Sequence, residues 1–488
     1  MLARILVFGA FVSLCTSAAS GCSDKELDAS GGTEVGDACD PASADACSEG
    51  LSCEPVAGSE ESVCAARVEI RGQVIDALDD APIEGALVVA ADELGAPVTA
   101  VVQTDADGHY TLPVSVRRDA SGEIAEVQRW TLLVSADDYL AFPGALRPAI
   151  PIDAQDVTTD DEDAQVLGTI DNASTVVALI PQSDDAAGGV TVRGHVDGSA
   201  AAGTLVVAEG VDPVSLAVAD LDGDFVLFNV AAGSATIVGY GHGQEVESVT
   251  VDVADADIDG VELSLVTEDL DAMAKVSGSV NIVNAPGGSA TSVVLVPSSV
   301  FSPAFERGPV PAGLRAPAPP EAPSVTSSFE ITGVSPGRYH VLAAFENDEL
   351  VRDPDTSIAG TQIQQIEVGS GQSVELEESF KITEALAVVS PGAEGPELVD
   401  GAPVLVWADD SSEDRYEVVV RDALGEIVWS DDQVVAEPGS ATVEVPYGGP
   451  ALTPGMYYQF RATSWRDNPQ GSTSIARTED LRGVFVAP

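Results

Sequence analysis

Short apolar runs rich in Val, Leu and Ile alternate with turn-forming clusters along most of the chain. Between Ile70 and Leu112 three such runs are punctuated by Asp79-Asp-Ala-Pro82, Gly95-Ala-Pro97 and Asp105-Ala-Asp-Gly108. Runs of that length bounded by Asp, Gly and Pro predict strands and tight turns. The pattern then repeats. Val68-Glu-Ile-Arg-Gly-Gln-Val74 returns as Val190-Thr-Val-Arg-Gly-His-Val196 and again as Ala274-Lys-Val-Ser-Gly-Ser-Val280. A second landmark follows each: Asp105-Ala-Asp-Gly-His-Tyr110, Asp220-Leu-Asp-Gly-Asp-Phe225 and, more loosely, Ser327-Ser-Phe329. The second and third repeats share a further spacing, Phe225/Leu227/Val230/Gly233 against Phe329/Ile331/Val334/Gly337. Alternating inward residues followed by a reversing glycine explain it. Three such units predict tandem β-sandwiches rather than one large sheet.

The first unit covers 67–182, with a polar insertion around Arg117–Glu126, an acidic loop around Asp153–Asp163 and a closing strand in Thr175–Ile180. The second, 188–267, is compact. The third, 273–384, carries a Pro-rich excursion from Ser302 to Pro323, which reads as a long exposed loop because proline cannot serve central strands. The last segment, 386–488, changes character: Pro403-Val-Leu-Val-Trp407, Tyr416-Glu-Val-Val-Val420, then Leu452-Thr-Pro-Gly455 leading into Tyr458-Gln-Phe460.

Gly72, the Pro82/Gly85/Ala86 set and Asp105–Tyr110 resemble the carboxypeptidase regulatory-like domain, a small transthyretin-like β-sandwich used in repeats on secreted bacterial proteins. The 386–488 landmarks resemble a fibronectin type III domain. That resemblance implies a core position for Trp407 and a corner hydrogen bond for Tyr457 or Tyr458.

The start of the chain reads as an address. Arg4, an apolar run from Ile5 to Leu14 and small residues up to Gly21 describe a secretory signal peptide over 1–21. The apolar run is shorter than the ~20 residues a bilayer span needs. Ala19-Ser-Gly-Cys22 resembles the bacterial lipoprotein box, which implies lipidation of Cys22; Ser23 after it points to the outer membrane. Residues 22–38 are polar and Gly-rich, as a flexible tether is. Cys39, Cys47, Cys53 and Cys64 remain, an even set in an exported chain, and predict two disulfides in a neck over 39–66 with three connectivities open. Their spacing does not match paired zinc ligands.

Charge narrows the partners. Lys and Arg number 21 against 80 Asp and Glu, a formal net charge of −59 at pH 7. Such a field repels nucleic acid and anionic lipid. Candidate chemistry is sparse. His242-Gly-Gln-Glu245 with His340 formally matches a zinc-peptidase ligand set, but it falls in a hairpin-turn composition and on two different units, so no catalytic residue and no cofactor are expected. Asp220, Asp222 and Asp224 form the best carboxylate set for calcium, although a tight turn also wants Asp and Gly. Trp130, Trp429 and Trp465 are too dispersed in sequence for a sugar platform.

The sequence therefore predicts an all-β protein: a small disulfide-rich neck, three regulatory-like sandwiches and a fibronectin III-like sandwich. The expected function is a non-catalytic, lipid-anchored envelope protein, held to the membrane by its N-terminal lipid and displaying modules for a protein or polysaccharide ligand. The alternatives are a carbohydrate-binding array or an accessory chain of an exported metallocarboxypeptidase.

Overall fold

Each repeat folds by one scheme, and the two sequence landmarks are its two halves. In the computed structural model, the strands Val68–Asp76, Val190–Val196 and Ala274–Val283 each lie inside a sheet. Each pairs antiparallel with the strand after the second landmark, namely His109–Val114, Asp224–Val230 and Ser328–Val334. On its other side each pairs parallel with closing strands of its unit: Gly168–Ile170 and Val176–Leu179, then Ile258–Leu263, then Ser373–Glu375 and Phe380–Thr383. A second sheet is built on Leu87–Ala91, Leu205–Glu209 and Thr291–Pro297, each antiparallel to Arg129–Ser135, Gly233–Tyr240 and Gly337–Phe345 respectively. The structure describes residues 34–488 except 42, 44–45, 49, 93–94, 120, 126–127, 145, 160–167, 184–185, 284–290, 319–323, 346–352, 356–362, 378, 384, 411, 470, 480–481 and 488. Residues 1–21, read from the sequence as a signal peptide, and Cys22 lie outside the described residues.

The register explains the repeated glycine. Gly72 stands opposite Tyr110, Gly194 opposite Phe225 and Gly278 opposite Phe329. In each unit the aromatic ring of the second landmark lies over the bare backbone of the first. A Cβ on Gly72 would stand 1.9 Å from the Thr175 carbonyl oxygen, and one on Gly194 2.1 Å from that of Val261; on Gly278 the nearest atoms are side-chain carbons at 3.0 Å. Backbone cannot give way as a side chain can, so Gly194→Ala should destabilise its sandwich by about 1–3 kcal/mol or more. Gly278→Ala should cost clearly less. Urea unfolding of the two variants compares them; equal losses would show that the carbonyl behind Gly194 does not set the cost, which then comes from the ring common to both units.

The fourth sandwich pairs Val404–Ala408 with Val388–Ser390 and Thr442–Pro446 in one sheet. Its six-stranded partner runs Glu397–Leu398, Val484–Val486, Tyr457–Asn468, Arg415–Asp422, Ile427–Val434, with Gly471–Arg477 also on Tyr457–Asn468. The neck is a three-stranded sheet of Ala38–Cys39, Ser62–Ala66 and Leu51–Pro55. It begins earlier than Cys39: Gly36, placed in the tether by composition, donates its amide to the Cys64 carbonyl at 2.8 Å. The described residues hold no α-helix, only the single 3-10 turns Ala154–Asp156 and Ala173–Thr175. No helix among them is long and apolar enough to cross a membrane.

The sandwiches do not hang separately. One face of Leu205–Glu209 packs Val206 and Ala208 into the second sandwich's own core. The other face sends Leu205 and Val207, with Tyr240, into the core of the third, beside Val293, Leu295, Tyr339 and Val341. The Pro-rich excursion corrects the sequence expectation. Thr291–Pro297 is buried along its whole length, and on its second face Val294, Val296 and Leu342 pack under Phe301, just before that excursion, and Val310 within it. Arg315–Ala316 then adds a strand to Thr291–Pro297. The described part of the loop covers apolar surface that would otherwise face water, which is worth about 25 cal/mol per Å².

Candidate functional site

The N-terminal joint is built from the cysteines upward. Cys39 bonds to Cys53 and Cys47 to Cys64, with Cα atoms 5.9 and 5.6 Å apart. The sulfurs of Cys39, Cys47 and Cys64 lie within 4.8 Å of one another because the two bridges are adjacent. Bonded in pairs they are not thiolate ligands. Closing loops of 14 and 17 residues stabilises the small sheet by about 3 kcal/mol per bridge in the chain-entropy account. The neck is fastened to the first sandwich by two buried side chains. Glu54 accepts from the Ser52 hydroxyl at 2.6 Å, the Ser115 hydroxyl at 2.5 Å and the Val116 amide at 2.9 Å. Arg118 donates to the carbonyls of Ala66 and Gly122; burial lowers its pKa, and the Glu54 carboxylate opposes that. Thus the polar insertion around Arg117–Glu126 is a docking surface for the neck. Beside it, Pro55–Glu60 and Arg117 line an open surface depression of about 450 Å³.

The Asp-Gly turns are used internally. Asp105 accepts from the amides of Asp107 and His109, and Asp220 from those of Asp222 and Asp224. Gly108 and Gly223 close these turns at φ 75° and 89°, where other residues are strained. Asp224 turns to His195, whose Nδ1 lies 2.8 Å away and whose pKa that bond raises. Among the described residues, Asp220, Asp222 and Asp224 do not bring three carboxylate oxygens within 4.8 Å.

The zinc-like trio is dispersed over three surroundings. His242 sits in the joint between the second and third sandwiches, bridged to Val334 and packed against Gly313 and Gly333. The turn glycines around it suggest a mobile, solvated side chain; instead the Gly243 amide donates to the Gly333 carbonyl and fixes the turn. Glu245 accepts from the Ser370 hydroxyl at 2.8 Å. His340 stacks on Phe301 of the covering loop, ring centroids 4.1 Å apart. Burial lowers the pKa of both histidines. A group protonated more readily in the unfolded chain contributes stability above its unfolded pKa, near 6.5, that is lost as pH falls. Replacing both with Gln should therefore flatten the drop in melting temperature between about pH 7.5 and 5. An unchanged slope would place their burial elsewhere.

The aromatic residues sort clearly. Trp130 belongs to the first core. Trp407 is fully buried, edge-on to Tyr416 at 5.5 Å and 6.1 Å from Phe460. Tyr458 makes the corner: its hydroxyl accepts the Thr453 amide at 2.8 Å. Trp429 packs edge-on to Tyr447, and Trp465 carries Arg415 over its ring while its Nε1 donates to Glu417.

What sequence reading missed is the set of joints. Ile180 of the first sandwich lies in the core of the fourth, with Leu140 and Ala77 packed against it. Arg147, buried, donates to the carbonyls of Leu140, Ala141 and Ala178 beneath the Phe142 ring, and burial lowers its pKa. The Tyr240 hydroxyl and that of Ser299 both donate to Glu209 at 2.6 Å, tying the second sandwich to the third. The signal for the last joint was present: Leu205-Val-Val-Ala208 is apolar on both faces, which a strand facing water on one side is not.

No protein-family model matches the chain, and no curated protein matches it. Among solved structures, it is similar to 3-chlorocatechol 1,2-dioxygenase from Rhodococcus opacus 1CP, at 10% identity over 28% of this chain and 66% of that one, TM-score 0.18. The major pilin subunit BcpA of Bacillus cereus matches at 10% identity over 65% and 99%, TM-score 0.17. The shaft pilin SpaA of Lactobacillus rhamnosus GG matches at 11% over 41% and 97%, TM-score 0.16. The chain spans 66% and 57% of the two catechol dioxygenases it matches. Similarity at this level carries no functional argument.

Proposed function

We propose that the protein is an exported, non-catalytic scaffold of the cell envelope, held to the membrane by lipid on Cys22 and presenting its sandwiches to a protein or polysaccharide ligand. The observation that carries this reading is the way the sandwiches bury their faces on one another above a disulfide-bonded, docked neck. Such a body holds its outer surface at fixed geometry on the neck, with the tether linking both to the anchor. The two disulfides fit an oxidising compartment. The charge of −59 keeps the outer surface soluble and turns nucleic acid away. The outer membrane is the proposed destination, and the regulatory-like and fibronectin III-like names are proposed for the repeats and the fourth sandwich.

Growing the host with labelled palmitate should mark the protein, and Cys22→Ala should abolish the label and release or stall the chain. Label persisting in that variant would overturn the anchor. The non-catalytic part is tested separately by elemental analysis of purified protein. One zinc per chain, lost together with peptidase activity in His242→Ala, would replace the scaffold by an enzyme.

A further inference from the structure

We infer that the tip of the third sandwich's long loop, Ser302–Arg307, is a clasp that holds the fourth sandwich closed against the first. The tip is itself a fixed turn: Ser302 and Arg307 form a bridge, with the Ser302 amide 2.8 Å from the Arg307 carbonyl. It reaches two other sandwiches at once. Phe305, 6% exposed, forms an apolar cluster with Leu146 of the first sandwich and Val484 of the fourth, and Ala304 and Tyr457 pack against it. Gly425 of the fourth lies under the same tip, where an added Cβ would meet Ala304 at 3.3 Å and the Phe305 ring at 3.7 Å. Glu306, at φ 55°, aims its carboxylate at Arg477 and, at 3.5 Å, at Arg461.

These residues are distant in sequence, and each side supplies what the other lacks. Phe305 fills the seam between two sandwiches, and Glu306 sits between two arginines that neighbour each other on paired strands. The side chains of Glu306, Arg461 and Arg477 are 20%, 15% and 24% exposed, so salt screens them less than surface pairs. Without the carboxylate, the two part-buried guanidinium groups would lose the acid that sits between them. The first and fourth sandwiches also touch directly, through Ile180 and through Gly455, whose missing Cβ leaves room for the Ala77 carbonyl. The clasp adds a second hold to that direct contact, and losing it lets the last module swing open more often.

The test attaches spin labels through Glu84→Cys and Glu437→Cys, one on each sandwich, in the oxidised chain. The closed form should give one narrow distance distribution. Phe305→Ala with Glu306→Gln should lengthen and broaden it several-fold in width, while far-UV circular dichroism keeps its strand signal. Arg477→Glu alone should do the same from the other side. Combining Arg477→Glu with Glu306→Arg, which leaves one acid among the basic groups, should restore the narrow distribution. Unchanged distances in the loop variant would overturn the clasp. So would opening by Arg477→Glu that the charge exchange fails to reverse, because that outcome means the pairing of residues 306 and 477 does not hold the two sandwiches together.

Discussion

Trp407→Ala should cost about 3–5 kcal/mol, the range for removing a large aromatic side chain from a packed core. Trp407 has no exposed surface and lies among Tyr416, Phe460 and Leu405, the last also fully buried. Tyr416 depends on the same packing: its hydroxyl accepts the Asp410 amide at 2.6 Å and donates to Asp409 at 2.8 Å, pinning the turn before its strand. A cavity beside that ring would loosen both sheets of the fourth sandwich. The measurement is urea unfolding of the whole chain, because Ile180 and Leu140 of the first sandwich complete this core and an isolated 386–488 fragment would lack them. A loss near zero would put Trp407 at the surface and revive a binding role for it.

Strand periodicity made the elements legible, and the repeated Gly and aromatic landmarks marked out the three units; that the two landmarks face each other across a ladder comes from the register alone. Gly194 and Phe225 are 31 positions apart, yet they are cross-strand partners because only a bare backbone admits the ring. The resemblance to fibronectin III domains implied the core place of Trp407 and a corner at Tyr457 or Tyr458, and the Thr453 amide on the Tyr458 hydroxyl decides between the two. The joints were not readable in that way. Phe305 looks like an isolated aromatic in a Pro-rich loop, and its partners Leu146 and Val484 lie in other modules. His242 looks like a turn residue because its surroundings come from the next sandwich. A partial signal existed in strands apolar on both faces, Leu205-Val-Val-Ala208 and Val293-Val-Leu-Val296, which predict a cover without saying which segment supplies it.

The second large effect belongs to Tyr339, and it reads the central claim that neighbouring sandwiches form one body. Tyr339 is completely buried, its hydroxyl donates to the Ser335 carbonyl at 2.8 Å, and burial pushes its pKa far up. Its ring meets Tyr240 of the second sandwich edge-on, centroids 5.6 Å apart. Tyr339→Ala should cost about 3–5 kcal/mol. In a string of independent modules that loss would stay within the third sandwich. In a shared core it also strips support from Leu205, Val207 and Tyr240 across the joint. The most direct measurement is a double-mutant cycle with Tyr240→Ala, together with amide hydrogen exchange on Leu205–Glu209 and Gly233–Tyr240. The account predicts a coupling of about 0.5–1.5 kcal/mol and lost protection in those second-sandwich strands when only Tyr339 is changed. Effects that add to within about 0.3–0.5 kcal/mol, with protection of the second sandwich untouched, would contradict it.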